Sequence, residues 1–352
     1  MHLFSPLTQR SLILRNRIVV SPMCQYSVTD GVPDDWHLVH LGSRAVGGAA
    51  VVIAEATAVE PRGRISPADT GIWNDAQRDA WAPIARFITE QGSIPGIQLA
   101  HAGRKGSTAA PWDGGKAVAS SSGGWTPVAP SAAAYAGDYP YPEALDAAGI
   151  RAVTDAFVAA ARRAHDAGFR LIELHAAHGY LLHQFLSPLS NRRDDGYGGS
   201  LENRMRLTLE VTAAVRAAWP AELPLWIRIS ATDWAEGGWD LAQSLALARE
   251  LKRIGADLID VSSGGLTAAQ KITPGPGYQV PFAATIRRET GIATGALGMI
   301  TEPVQAETIL ASGQADVVIL ARELLRDPYF PRRAARALGV TIPTPRQYLR
   351  AW

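Results

Sequence analysis

The chain has 352 residues, 47% hydrophobic and 19% charged, a globular balance with ample apolar material for a core. A formal net charge of +1 gives no electrostatic case for nucleic acid or an anionic membrane, and no apolar run approaches the roughly 18 residues of a transmembrane helix. The one cysteine, Cys24, excludes an internal disulfide, a cysteine-bound iron–sulfur cluster and a multi-cysteine zinc site; together with an N-terminus lacking signal-peptide features, it points to a reducing cytoplasm.

Short apolar runs recur along the chain, each followed by a polar loop and then a helical pattern. The first, 17–20, runs into SPMCQYS, and the second, 50–54, into EAT. The third, 94–99, precedes AHAGRKG, and the fourth, 171–174, precedes HAAHGY. The fifth to eighth are 225–229 before SATDW, 258–261 before SSGG, 292–295 before ALGMIT, and 317–320 before AREL. Several intervening helices carry clear start and stop signals. Asn74 and Asp75 cap a segment that stops at Gly92, residues 150–167 end at Gly168, and 201–219 end before Pro220. Asp240 caps 241–254, which stops at Gly255, and 302–311 stop at Gly313.

Strands alternating with helices pair in parallel, and eight such units in this length predict a closed (β/α)8 barrel in one domain, residues 1–352. An open doubly wound sheet is the alternative. It would want a Gly-x-Gly-x-x-Gly turn after its first strand, and SPMCQYS has no glycine. Residues 103–148, rich in Gly, Ala, Ser, Pro and Tyr, fall between the third strand and its helix and read as a lid-like excursion over the barrel mouth.

A barrel of this kind builds its active site from the loops after its strands, so chemistry-bearing side chains should follow the apolar runs. They do: Cys24 and Tyr26, Thr57, Gln98 and His101, His175, His178 and Tyr180, Arg228, Ser262 and Ser263, and Arg322. His175 and His178 admit three readings: a satisfied core pair, a metal site with His183 as third ligand, or two N–H donors aimed at one developing oxyanion, with Tyr180 beside them as proton donor. Arg228, inside the apolar strand LWIRIS, is either half of an internal ion pair or a fixed cation beside an anionic cofactor. Gln98 suits either a loop hydrogen bond or the edge of a heterocycle. Cys24 is either a small buried hydrophobe or a contact to a redox cofactor. Gly298 and Arg322, after the seventh and eighth strands, suit a phosphate.

The segments SPMCQYS, QLAHAGRK, ELHAAHGYLLHQFLSPLSNRRDDGYGGSLENR, TGALGMI and ILARELLRDPYFPRRAARALG resemble the Old Yellow Enzyme family of FMN-dependent ene-reductases. PMCQYS and the terminal YLRAW are similar to its thermophilic-like subgroup. The resemblance implies a (β/α)8 barrel holding non-covalent FMN at its mouth. It implies that Ser21, Pro22, Met23 and Cys24 lie along the flavin, that Ala56 contacts the ring, and that Gln98 bonds the pyrimidine edge. Arg228 would offset charge near N1 and O2, and Ala321 and Arg322 would hold the phosphate. His175 and His178 would bind the substrate's activating oxygen, helped by Tyr26, and Tyr180 would donate the proton. Two positions depart from the family: Ala321 stands where glycine is usual, and Leu297 where some relatives carry a bulky aromatic. Arg350 and Trp352, in the tail 346–352, match residues that reach into a neighbour's active site, which implies a homodimer or a dimer of dimers.

The resulting expectation is an NADPH-dependent ene-reductase acting on activated alkenes (enones, enals, nitroalkenes, maleimides), with no metal. One rival is another flavin barrel, such as a dienoyl-CoA reductase, against which the single cysteine and the length argue. The other is a non-catalytic flavin-binding barrel, which would not need the His, His, Tyr set.

Overall fold

The computed structural model describes residues 1–352. Eight parallel strands close into a barrel: β1 Ile18–Val20, β2 Val51–Ala58, β3 Ile94–Ala100, β4 Leu171–Ala176, β5 Leu225–Ser230, β6 Leu258–Ser262, β7 Ala293–Ala296 and β8 Val317–Leu320. Each strand pairs with its sequence neighbours, and β8 pairs with β1 through Val318 opposite Ile18. The main helices outside are α1 Asp35–Gly47, α2 Asp75–Glu90, α3 Ala147–Asp166, then after the short α4 Leu181–Leu186 come α5 Leu201–Ala218, α6 Leu241–Arg253, α7 Val280–Thr290 and α8 Pro303–Ala311. The chain finishes with α9 Arg322–Arg326 and α10 Phe330–Ala337. The expected (β/α)8 fold is the observed one, and no helix is long and apolar enough to cross a membrane.

Two apolar clusters hold it together. The larger lies between strands and helices: the outward residues Val52, Ala54, Ile172, Leu174, Ile227 and Ile229 meet helix faces such as Trp81, Phe157 and Leu247. The smaller fills the lower lumen with Val19, Val51, Ile53, Leu171, Trp226, Leu258, Val317 and Ile319. Period-two alternation assigns each strand residue to one of these two environments. A hairpin of Leu7–Gln9 and Leu12–Leu14 closes the lower end. Its Leu14 joins the lumen cluster, and its Gln9 Oε1 accepts a bond from Trp226 Nε1 (2.5 Å).

The strands run further toward the mouth than their apolar runs suggest. β2 continues to Ala58, β4 to Ala176 and β6 to Ser262, while β7 is shifted to Ala293–Ala296. Gln98 and His175 therefore stand on strands, whereas the sequence places His175 on the loop beyond one. The reason is that lumen-facing positions near the mouth are polar, so the apolar run stops before the hydrogen-bonded ladder does. α3 starts at Ala147, capped by Asp146, so the excursion after β3 spans residues 101–146. It carries three single 3-10 turns and a two-residue pairing of Val128–Ala129 with Glu143–Ala144. It reaches back over the barrel: Trp112 packs edge-on against Tyr26 (5.5 Å), and Tyr135 covers Lys105 (4.6 Å).

Candidate active site

The lumen is layered. Above the apolar floor, β3 to β6 contribute a charged layer of Gln98, Glu173, Arg228 and Asp260; above that come His175, Ser230 and Ser262. Each set follows from stepping two residues along a strand. The mouth opens into a cavity of about 400 Å³ lined by Ser21, Pro22, His178, Arg228, Ser262 and the loops after β7 and β8.

His175, His178 and Tyr180 pack ring against ring. The His175 ring lies 5.1 Å from His178 and 4.8 Å from Tyr180, edge to face in both cases. His175 Nδ1 accepts from the Ala177 amide (3.2 Å), which leaves Nε2 as the N–H donor. Burial, then the neighbouring His178 and Arg228, hold His175 well below the usual imidazole range, so it is a neutral donor. His178 is also pushed well down, by burial and then Arg228. Its backbone is left-handed (φ +58) and its amide donates to Ser230 Oγ (2.9 Å). Its Nε2 lies 2.7 Å from Ser262 Oγ. Gly179 follows at φ +74, where an added Cβ would come within 2.3 Å of the Gly265 carbonyl; that tight turn sets the spacing of the three side chains. Burial raises the Tyr180 phenol well above its ordinary range, so it keeps its proton at neutral pH.

Arg228 is almost completely buried and forms the internal ion pair that was one of its two sequence readings. Its Nε donates to Asp260 Oδ2 (2.7 Å), Nη2 bonds the same oxygen, and Nη2 also donates to Ser21 Oγ (2.9 Å) at the cavity wall. It is thus an internal ion pair that also presents a fixed cation to the cavity. Gln98 Nε2 donates to Glu173 Oε1 (2.7 Å), which leaves its carbonyl and second N–H for other partners. Ala56, at a bulge in the β2–β3 pairing, is opposite Gln98.

The SPMCQYS segment leaves β1 along the cavity, with Ser21 and Pro22 buried and Met23, Cys24 and Tyr26 half-buried. Tyr26 holds a left-handed backbone (φ +50) two residues after Cys24. Burial, followed by Asp69 and Glu55, pushes the Cys24 thiol well up, so it is a thiol at neutral pH. Asp69 is itself driven up to about 7 by burial.

At the far end, Gly298 (φ +106), Met299, Ile300 and Thr301 face Ala321, Arg322 and Arg326 across the cavity. Ala321 has φ −105, so alanine fits there without left-handed strain, and the first N–H groups of α9 have no intrahelical acceptor. Leu297 lines the same cavity beside Ile319.

Other sequence candidates go elsewhere. His101 pairs with Glu60 (2.8 Å) and caps the Gly103 amide, so it anchors the start of the excursion. Thr57 bonds inside β2. His183 accepts from Gly179 N and meets Asp233 (2.9 Å), turned away from His175 and His178, so the three do not form a ligand set. Arg350 and Trp352 do not reach the mouth of their own chain; they line a second cavity against α10, with Trp352 stacked on Tyr329 (6.3 Å). Lys105 was not singled out by sequence position, yet its Nζ donates to the carbonyls of His178 and Gly265 (both 3.0 Å) and lies over the Tyr180 ring (5.4 Å). Its only sequence signal was a cation in a strand-end loop.

The model of the NADH:flavin oxidoreductase / NADH oxidase family matches residues 2–340. The chain belongs to this family, the Old Yellow Enzyme family, and is an enzyme. Among curated relatives, an NADPH dehydrogenase of Geobacillus sp. (strain WCH70) is 50% identical, with 99% of this chain and 98% of that one covered. An NADPH dehydrogenase of Bacillus subtilis (strain 168) is 47% identical, with 99% of each covered. Among solved structures, morphinone reductase in complex with tetrahydroNAD superposes with a TM-score of 0.80 at 30% identity, covering 97% of this chain and 92% of that one. The donor set fits the flavin cofactor of an Old Yellow Enzyme. One end of the cavity is cationic and rich in amides, the other offers Arg228 and Ser21, and Pro22 and Leu297 give apolar wall between them.

Proposed function

We propose that this enzyme is an NADPH-dependent ene-reductase that binds FMN non-covalently at the barrel mouth and reduces enones, enals, nitroalkenes and maleimides. The observation that carries the reading is the neutral His175–His178–Tyr180 cluster beside the buried Arg228 cation. When bound, the flavin supplies the redox chemistry, taking hydride from NADPH and passing it to the β-carbon of the alkene.

The chain's own residues supply position and charge. Ala321 and Arg322 would hold the phosphate; Ser21, Pro22, Met23, Cys24 and Ala56 would lie along the ring; Gln98 and Arg228 would face its polar edge. His175 Nε2–H and a His178 N–H would bind the substrate's activating oxygen and stabilise the charge that develops there. For His178 to donate, Ser262 Oγ must give its proton to Nε2, which leaves Nδ1 protonated. Tyr180, kept protonated by burial, would deliver a proton to the α-carbon. Tyr26 would border the substrate, and the Cys24 thiol would contact the flavin as a neutral group. The exposed apolar side chains of the tail, Leu349 (60% exposed) and Trp352 (48%), support a homodimer in which Arg350 and Trp352 of a second copy complete the site.

The test is a visible spectrum of the purified enzyme under anaerobic NADPH. Flavin bands that bleach and then return on adding 2-cyclohexenone support both half-reactions. A protein that stays colourless after incubation with FMN refutes the reading.

A further inference from the structure

The charged layer under the mouth holds two carboxyls and one cation. Glu173 and Asp260 are both fully buried, and Arg228 is the group that pairs with them. Asp260 is opposite Arg228 in the β5–β6 ladder, and Gln98 is opposite Glu173 in the β3–β4 ladder. From β3, Gln98 donates to Glu173 Oε1; from β5, Arg228 Nε approaches the same oxygen at 3.5 Å; His175 stands next above Glu173 on β4. If both acids were ionised, the layer would carry a net charge of −1 between an apolar floor and the cavity. Two buried oxygens, Glu173 Oε2 and Asp260 Oδ1, would also face no donor. Buried acceptors without donors are rare because they lose water and gain nothing. Glu173 Oε1 and Asp260 Oδ2 lie 3.5 Å and 2.7 Å from the same Arg228 Nε, so the two carboxyls stand side by side on one guanidinium, and one proton held between them supplies the missing donor.

We propose that Glu173 is a positioning residue held as the neutral acid, donating its proton to Asp260, so that Arg228 is offset by one carboxylate and not by two. The inference rests on the reading above that FMN lies at the mouth. Burial, with Asp260 adding to it, drives Glu173 well above the usual carboxylate range, in agreement with the geometry. Glu173 does not line the cavity. It acts through Gln98 and Arg228, the two groups that would meet the polar edge of the flavin. It fixes which way the Gln98 amide points, and it keeps a second negative charge away from a ring that becomes more negative on reduction.

The test is the midpoint potential of the flavin-loaded enzyme, by reductive titration against a reference dye, for the wild type, Glu173→Gln, and the double variant Glu173→Gln with Asp260→Asn. An amide at 173 is neutral and can donate to Asp260 in place of the acid, so the single variant should keep the wild-type potential. The double variant removes the one ionised carboxylate. At the potential that half-reduces the wild type, its reduced-to-oxidised ratio should rise at least tenfold, about 30 mV for a two-electron couple. A single variant whose ratio itself rises tenfold or more means Glu173 is ionised, and a double variant that does not move means the layer does not act on the flavin; either overturns the proposal. The infrared spectrum of wild-type protein without flavin gives an independent arm. A protonated-carboxyl band that shifts on carbon-13 labelling of glutamate, and not of aspartate alone, is expected, and its absence overturns the proposal whether or not the variants fold. A protein that takes up no FMN yet shows this band refutes the functional reading and leaves the shared proton standing.

Discussion

Removing the cation from the charged layer gives the most direct measure of what the lumen costs to assemble. In Arg228→Leu, the side chain's apolar stem is roughly replaced, but Asp260 loses its only ionic partner and Ser21 Oγ loses a donor. Asp260 is fully buried in the barrel centre, so no water takes over. Breaking a buried pair at one partner costs about 3 to 5 kcal/mol, because an uncompensated charge is left behind. The assay is urea denaturation of flavin-free protein followed by tryptophan fluorescence, so that ligand binding does not enter the balance. Adding Asp260→Asn to Arg228→Leu should recover more than about half of the loss, since the second change removes the stranded charge. A single variant within about 1 kcal/mol of wild type, or a double variant no better than the single one, would refute the view that the layer is held by charge compensation.

Other outcomes follow from the same geometry. His178→Ala should weaken binding of a phenolic ligand about 10- to 100-fold, the value of one hydrogen bond to a charged oxygen, read from the shift of the flavin spectrum on titration; unchanged binding removes the role given to the pair. Tyr180→Phe should slow the alkene half-reaction about 10²- to 10⁴-fold in stopped flow while NADPH still bleaches the flavin. Asp69, raised from 3.8 to about 7, binds a proton more tightly folded than unfolded. Its contribution to stability is therefore complete below pH 3.8 and lost as pH rises through 7, so Asp69→Asn should flatten the stability–pH curve between those values. Gly179→Ala should destabilise by more than about 1 kcal/mol in thermal unfolding, since the position has φ +74 and the new Cβ meets the Gly265 carbonyl.

The barrel was readable because its strands are short apolar runs with punctuated helices between them, and Val317–Leu320 falls on the observed β8 residue for residue. The site was partly readable for the same reason: the end of an apolar run marks the start of the polar mouth. That rule breaks where polar side chains remain on a strand, and it placed His175 one element too late. It also cannot separate a mouth residue from a brace. His101 and His175 both follow β-type runs, yet one is tied to Glu60 and the other faces Tyr180. Lys105 and Asp260 escaped notice because their significance is a matter of partners from distant segments: His178 and Gly265 for the first, Arg228 for the second. No local spacing encodes those contacts.

The layering also explains why one arginine can be both structural and functional here. Alternation along β5 puts Trp226, Arg228 and Ser230 into the lumen at successive heights. Trp226 seals the floor against the hairpin, Ser230 bonds the His178 amide above, and Arg228 lies between them. A guanidinium there needs an anion, which β6 supplies in register as Asp260. Its Nη2 still reaches Ser21 at the cavity wall, so the charge is anchored from one side and presented on the other. Without Asp260 the guanidinium would keep only the longer contact to Glu173 (3.5 Å), and a lysine could not fork to both Asp260 and Ser21 in the same plane. Arg228→Lys should therefore keep the charge yet lose part of the stability that Arg228→Leu loses, and comparing the two variants separates charge from geometry at this position.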